Sequence, residues 1–85
     1  MEKKLIGKIT HYFGNLGVGV IDLVDSLKVG DKISIEGATT NFQQEVKSMQ
    51  IDRKDIEEAK KGDDIGIKLD DKVREGDQVF KITKE

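Results

Sequence analysis

At 85 residues the chain has room for one domain, expected over 1–85, and excludes a catalytic domain beside a regulatory one. Hydrophobic residues are 35% and charged residues 38%, too polar for a membrane protein, and the absence of Cys excludes disulfides, thiolate catalysis and Cys-based metal sites. With 15 basic against 17 acidic residues the net charge is −2, so no global positive field recruits nucleic acid.

From the start, Leu5, Gly7, Ile9, His11 and Phe13 share one side of a strand, and Ile6, Lys8, Thr10 and Tyr12 the other. Gly14 to Gly17 turns the chain into Val18 to Val24, which is apolar on both faces except for Asp22, as expected of a strand crossing a small interior. Then comes a motif that occurs three times: Lys28-Val29-Gly30-Asp31-Lys32-Ile33, Lys60-Lys61-Gly62-Asp63-Asp64-Ile65 and Arg74-Glu75-Gly76-Asp77-Gln78-Val79. Each reads basic, any, Gly, Asp, any, β-branched aliphatic. Glycine takes φ > 0 at the end of a tight turn without a Cβ penalty, and the Asp carboxylate accepts N–H groups that the turn leaves unpaired. Gly30, Gly62 and Gly76 are therefore expected at equivalent turn positions, each launching a strand: Ile33 and Ile35 on one face of one, Ile65, Ile67 and Leu69 on one face of another, and Gln78 to Thr83 as the last.

Between the first two turns, Phe42 to Asp52 breaks strict alternation, because Val46 and Met49 are three apart. A bulge near Lys47 and Ser48 would put Val46, Met49 and Ile51 on the same side. Only Asp55 to Lys61 has weak helical character. Short strands separated by Gly turns, with no Pro and no useful helix, predict an all-β fold: a small closed antiparallel barrel of about six to seven strands, closure being the way so small a chain removes exposed edges. Ile9, Val20, Ile33, Ile35, Val46, Met49, Ile65, Ile67 and Val79 are expected to supply most of the core, with two or three of Tyr12, Phe13, Phe42 and Phe80 filling it out.

The chemistry of catalysis is thin. Gly14 to Gly19 is Gly-rich but runs into Val20 and Ile21 without the Lys and helix of a phosphate loop, so no nucleotide is expected. His11 is the sole histidine, and one His without Cys cannot assemble a nucleophile, base and orienting group. Asp63-Asp64 and Asp70-Asp71 point to opposite faces of a strand and flank Lys residues, as a solvated rim would. The expectation is no enzyme, no cofactor and no metal. Ser48-Met49-Gln50-Ile51 places Gln where a lipoyl or biotinyl carrier needs Lys, which sets that reading aside. No apolar run approaches the roughly 18 residues of a spanning helix, and Met1 to Lys4 leads straight into patterned sequence, so a cytoplasmic location without membrane association is expected.

Four segments in series carry a resemblance: Leu27 to Ile35, Glu45 to Ile51, Glu58 to Ile67 and Val73 to Val79. Their order and spacing resemble the second domain of translational GTPases, the β-barrel of elongation factor Tu and its counterparts, here without a GTPase domain. The resemblance implies a non-catalytic binding module contacting RNA or a translation-associated protein. It further implies a partner-facing patch of Gln50, Asp52, Arg53 and Lys54, beside a loop containing Tyr12 and Asn15. A barrel with similar turns also occurs as a C-terminal appendage of collagenase-like peptidases, which gives the alternative: a protein-interaction module docking on such a partner enzyme.

Overall fold

Three turns share one hydrogen-bond pattern and position most of the core. The structure is a computed structural model that describes residues Glu2 to Lys84, the last by its backbone alone. In the first turn the Asp31 N–H donates to the Lys28 carbonyl at 3.1 Å while the Lys28 N–H donates to Asp31 Oδ2 at 2.9 Å. The same reciprocal pair joins Asp63 with Lys60 (3.0 and 2.9 Å) and Asp77 with Arg74 (3.1 and 2.8 Å). Gly30, Gly62 and Gly76 have φ of 99°, 91° and 92°, so all three are type II turns whose third residue must enter the left-handed region.

Each turn is also clamped to a buried aliphatic residue elsewhere in the chain. The Gly30 N–H donates to the Val46 carbonyl and the Val46 N–H to the Asp31 carbonyl, both at 2.8 Å. Leu23 clamps Gly62 and Asp63 in the same way, and Ile9 clamps Gly76 and Asp77. The residue before each turn (Leu27, Ala59, Val73) and the second residue after each Asp (Ile33, Ile65, Val79) are buried. One local motif, used three times, thus inserts two aliphatic side chains per copy into a shared core.

Among the described residues the chain forms ten strands: β1 Glu2–Phe13, β2 Val18–Leu23, β3 Leu27–Lys28, β4 Lys32–Glu36, β5 Asn41–Glu45, β6 Met49–Ile51, β7 Lys54–Ile56, β8 Glu58–Ala59, β9 Asp64–Lys68 and β10 Gln78–Lys84. Eight make an antiparallel sheet in the order β5-β4-β10-β1-β2-β9-β6-β7, and β3 pairs with β8 in a separate ribbon. The all-β antiparallel expectation holds, but the sheet is not closed into a barrel: β5 and β7 remain its edges. The strand number also exceeds the six or seven expected, because two-residue β3 and β8 carry no alternation that a sequence pattern can show.

Three other local expectations are corrected. Phe42 to Asp52 is not one bulged strand: β5 pairs with β4 and β6 with β7 and β9, so Val46 to Ser48 carries the chain from one end of the sheet order to the other. Val46 and Met49 are both buried because this crossover passes over the core. Asp55 to Lys61 holds β7, β8 and the start of the second turn rather than a helical turn, because strand pairing and the Gly62 clamp outweigh weak helix propensity. In β1 the register shifts between Leu5 and Gly7 and again between Ile9 and His11, so Ile6 and Ile9 both point inward while Leu5 is exposed. Gly7 sits where β1 is squeezed between β10 and β2; a Cβ there would meet the Asp22 carbonyl oxygen at 2.6 Å.

The core is aliphatic. Of the residues expected in it, Ile9, Ile33, Ile35, Val46, Met49, Ile65, Ile67 and Val79 are buried, while Val20 is only half-buried because β2 turns Gly19, Ile21 and Leu23 inward and Val18 and Val20 outward. The aromatics do not fill the interior either: Tyr12 and Phe42 pack against its margin, Phe13 is exposed, and Phe80 is half-buried beneath the Lys3 ammonium.

Candidate interaction groove

The outward face of β2 and β9 forms a groove between two hairpin tips. In the β1–β2 hairpin the Leu16 and Gly17 N–H groups both donate to the Phe13 carbonyl, at 3.0 and 2.9 Å, which curls the tip and leaves Phe13 45% and Leu16 61% exposed. In the register of the sheet Val20 pairs with Gly66, and Gly66 with Gln50. Gly66 brings no side chain to this outward face, so a floor opens beside Val18 and Val20. The groove encloses about 430 Å³ and is lined by Phe13, Leu16, Val18 and Val20 with Ile65 and Gly66, and rimmed by Gln50, Asp52, Arg53 and Asp64.

The opposite tip joins β6 to β7 through Asp52 and Arg53. Ile51 pairs with Lys54, and Asp52 and Arg53 have φ of 51° and 66°, so this is a two-residue type I′ turn. The I′ geometry favours Asn or Asp followed by Gly; here Arg53 occupies the position that Gly would fill without strain. Gln50 is braced from behind, its Nε2 donating to Asp55 Oδ1 at 2.9 Å.

Of the six residues expected at a partner-facing patch, Gln50, Asp52 and Arg53 line the groove together. Lys54 is exposed at the start of β7 but does not line it. Asn15 belongs to a shallower hollow on the curled tip, and Tyr12 turns to the other side of β1 and packs against the core margin. Val18, Val20 and Gly66 do not stand out in the sequence because Val18 to Val24 is apolar at nearly every position; Asp22, at i+4 from Val18, is the one sign that this face is outward. His11 lies tilted against Phe13, with ring centroids 4.4 Å apart and planes at 58°, and faces Glu75 at 3.5 Å, a surface arrangement beside the groove. Among the described residues, hydrogen bonds from Lys4 and the Ser26 N–H hold the Asp25 carboxylate below its ordinary value, and those from Lys3 and Ser34 do so for Glu36; neither lines the groove. Among the described residues no group of three or more His, Asp or Glu side chains is arranged to hold a metal ion, and no helix is long and apolar enough to cross a membrane.

No protein-family model matches the chain. In sequence it is 49% identical over 76 residues to an uncharacterized protease of Methanocaldococcus jannaschii, covering 88% of this chain and 19% of the protease. It is 34% identical over 85 residues to a collagenase of Porphyromonas gingivalis, covering 98% of this chain and 24% of the collagenase. The chain therefore spans about a fifth to a quarter of the length of these relatives. These findings overturn the resemblance to the second domain of elongation factor Tu and the translation-factor character read from it. Three of the four segments that carried it hold the clamped type II turns, whose Gly and Asp answer to turn geometry that unrelated antiparallel sheets share. Among solved structures the C-terminal domain of a Geobacillus thermoleovorans U32 peptidase superposes with a TM-score of 0.88 at 14% identity, covering 94% of this chain and 93% of that one, so the chain has the fold of that C-terminal domain.

Proposed function

We propose that the chain is a non-catalytic accessory module of a collagenase-like peptidase, packing against the enzyme's catalytic body through the groove between the Phe13–Leu16 and Asp52–Arg53 tips. The observation that carries this reading is the match of 88% of the chain, at 49% identity, to a segment that makes up only 19% of a protease. A segment of that size leaves most of the relative's length for a body to which this module would be attached. The composition supports a non-catalytic role, since no Cys nucleophile is present and a single His is all that could serve a Ser-His scheme. The groove supplies the expected anatomy of a contact: exposed Phe13 and Leu16 at its centre, and a polar rim with a single arginine.

The test pairs the purified chain with the purified catalytic body of the same peptidase, followed by sedimentation velocity and calorimetry. A one-to-one complex that Phe13→Ser with Leu16→Ser abolishes, without loss of the folded amide spectrum, supports the reading. Absence of a complex at high micromolar concentration, or hydrolysis of fluorescent gelatin by the chain alone, overturns it.

A further inference from the structure

Tyr12 and Phe13 are neighbours on a strand and point to opposite faces, so the β1–β2 hairpin borders two hollows. The second hollow encloses about 360 Å³ and is lined by Tyr12, Thr39, Thr40, Lys72, Val73 and Arg74. Its lining holds two cationic side chains, three hydroxyls and no carboxylate, in a chain whose acids outnumber its bases.

Three of the nearby acids already have partners, two of them the backbone of Lys72 and Arg74 themselves, and Asp70 is exposed. Asp77 is 5% exposed and its Oδ2 accepts the Arg74 N–H at 2.8 Å; Asp71 Oδ1 accepts the Lys72 N–H at 2.7 Å; and Glu75 faces His11. Among the described residues neither Lys72 nor Arg74 makes an ion pair. Thr40 is 6% exposed as a residue, but no buried side-chain polar atom among the described residues lacks a partner, so its hydroxyl, which makes no hydrogen bond within the protein, is open to solvent.

The lining is also held rigidly by three separate anchors. The Gly37 N–H donates to the Thr40 carbonyl at 2.7 Å and fixes the β4–β5 turn; Val73 is buried; and Arg74 opens the third type II turn, clamped by Ile9. These anchors fix the backbone from which the exposed Thr39, Lys72 and Arg74 side chains project.

From this we infer that the hollow is a binding site for a phosphate-type oxyanion. An ammonium and a guanidinium match the two negative charges of a phosphate dianion, the guanidinium fork engages two of its oxygens at once, and hydroxyls serve the remainder. A carboxylate would leave one of the two cations uncompensated. This inference goes beyond the docking reading and stands apart from it, because none of these residues lines the groove except through the shared hairpin.

The experiment is a titration of the ¹⁵N-labelled chain with inorganic phosphate, with glycerol phosphate and with acetate, at matched ionic strength and pH. Saturable shifts centred on Thr39, Thr40, Lys72 and Arg74 with phosphate, and weaker or unsaturated ones with acetate, are the expected result. Saturation by glycerol phosphate as well identifies the site as one for phosphate esters; saturation by phosphate alone identifies a free-anion site. Lys72→Gln with Arg74→Gln should weaken phosphate binding roughly tenfold or more while leaving the remaining spectrum in place. Thr40→Val, which keeps the side-chain shape, should weaken it by a smaller factor. Acetate binding as tightly as phosphate, an absence of saturation in tens of millimolar phosphate, or an unchanged affinity in the double variant overturns the inference. The groove variant Phe13→Ser with Leu16→Ser should retain phosphate binding, so failure here and failure of the docking reading are told apart.

Discussion

Gln44 donates from Nε2 to the Lys68 carbonyl at 2.9 Å, and its Oε1 accepts the Asp70 N–H at 2.8 Å. Gln44 lies on the edge strand β5, while Lys68 ends β9, on the other side of β4, β10, β1 and β2 in the sheet order. One buried carboxamide therefore does between these two segments what a backbone ladder does in a closed barrel. It satisfies one C=O and one N–H at the end of β9. Replacing Gln44 with Leu keeps the bulk but strands both backbone groups, and should destabilise the fold by about 1 to 3 kcal/mol. Urea unfolding checks it; a Leu variant as stable as the parent would show that water replaces the carboxamide without loss.

The three turns give a graded series. Nothing lies within 4 Å of a Cβ placed at Gly30, Gly62 or Gly76, so strain at positive φ is the sole cost there, and each Gly→Ala change should cost about 1 kcal/mol. Gly7→Ala differs in kind: φ is ordinary, but the new methyl meets the backbone of Asp22 and the side chain of Ile21, so this variant should lose more stability than any turn variant. Thermal melts of the four variants rank them.

Ile67 is fully buried and pairs with Gly19 and Met49 on the two neighbouring strands. Ile67→Ala should cost on the order of 2 to 4 kcal/mol. Val20→Ala, on the outward face of β2, should cost distinctly less. Equal losses in urea titrations would contradict the assignment of Val20 to the groove rather than the core.

These positions show which parts of the fold a sequence can disclose. Gly30, Gly62 and Gly76 are legible because a positive φ selects Gly and the carboxylate three positions after the turn's first residue selects Asp. The clamp partners Val46, Leu23 and Ile9 are not, since a backbone hydrogen bond leaves no mark on residue type. Closure fails for the same reason: a single Gln in a polar edge strand looks like any solvated glutamine until Lys68 and Asp70 are beside it. The site divides likewise. Gln50, Asp52 and Arg53 stand out as a polar strand end, but the groove they rim depends on Gly66 lying between Gln50 and Val20, a matter of register across three strands.

Acid sensitivity has a local source in Glu36, which is held below its ordinary value by the hydrogen bond from the Lys3 ammonium and, second, by that from the Ser34 hydroxyl. A carboxylate with a depressed folded-state value contributes stability above its unfolded value, and that contribution is lost as pH falls through the folded one. Stability should therefore fall in the acid range, below the ordinary carboxylate value, and Lys3→Ala should flatten that fall by lowering stability modestly near neutrality, the two proteins converging in acid; the loss is small because the pair, with side chains 38% and 31% exposed, is partly screened by solvent. Melting temperatures of the two proteins from neutral pH downward decide it; parallel curves would assign the acid sensitivity to other carboxylates.

Arg53 separates stability from docking. Its φ of 66° lies in a region that a type I′ turn fills best with Gly, and a non-Gly residue there carries backbone strain. The side chain stands on the rim of the apolar groove, where a guanidinium can engage a carboxylate or a carbonyl pair with two parallel hydrogen bonds. If the strained residue serves that contact, Arg53→Gly should stabilise the isolated chain by about 0.5 to 1 kcal/mol while weakening its complex with the peptidase body. Arg53→Glu with Lys54→Glu should abolish the complex and leave the fold intact, since both side chains are exposed. The two variants discriminate because a purely structural Arg53 would let the Gly variant gain stability with binding unchanged. That outcome would remove the Asp52–Arg53 tip from the contact and confine it to the Phe13 and Leu16 side of the groove.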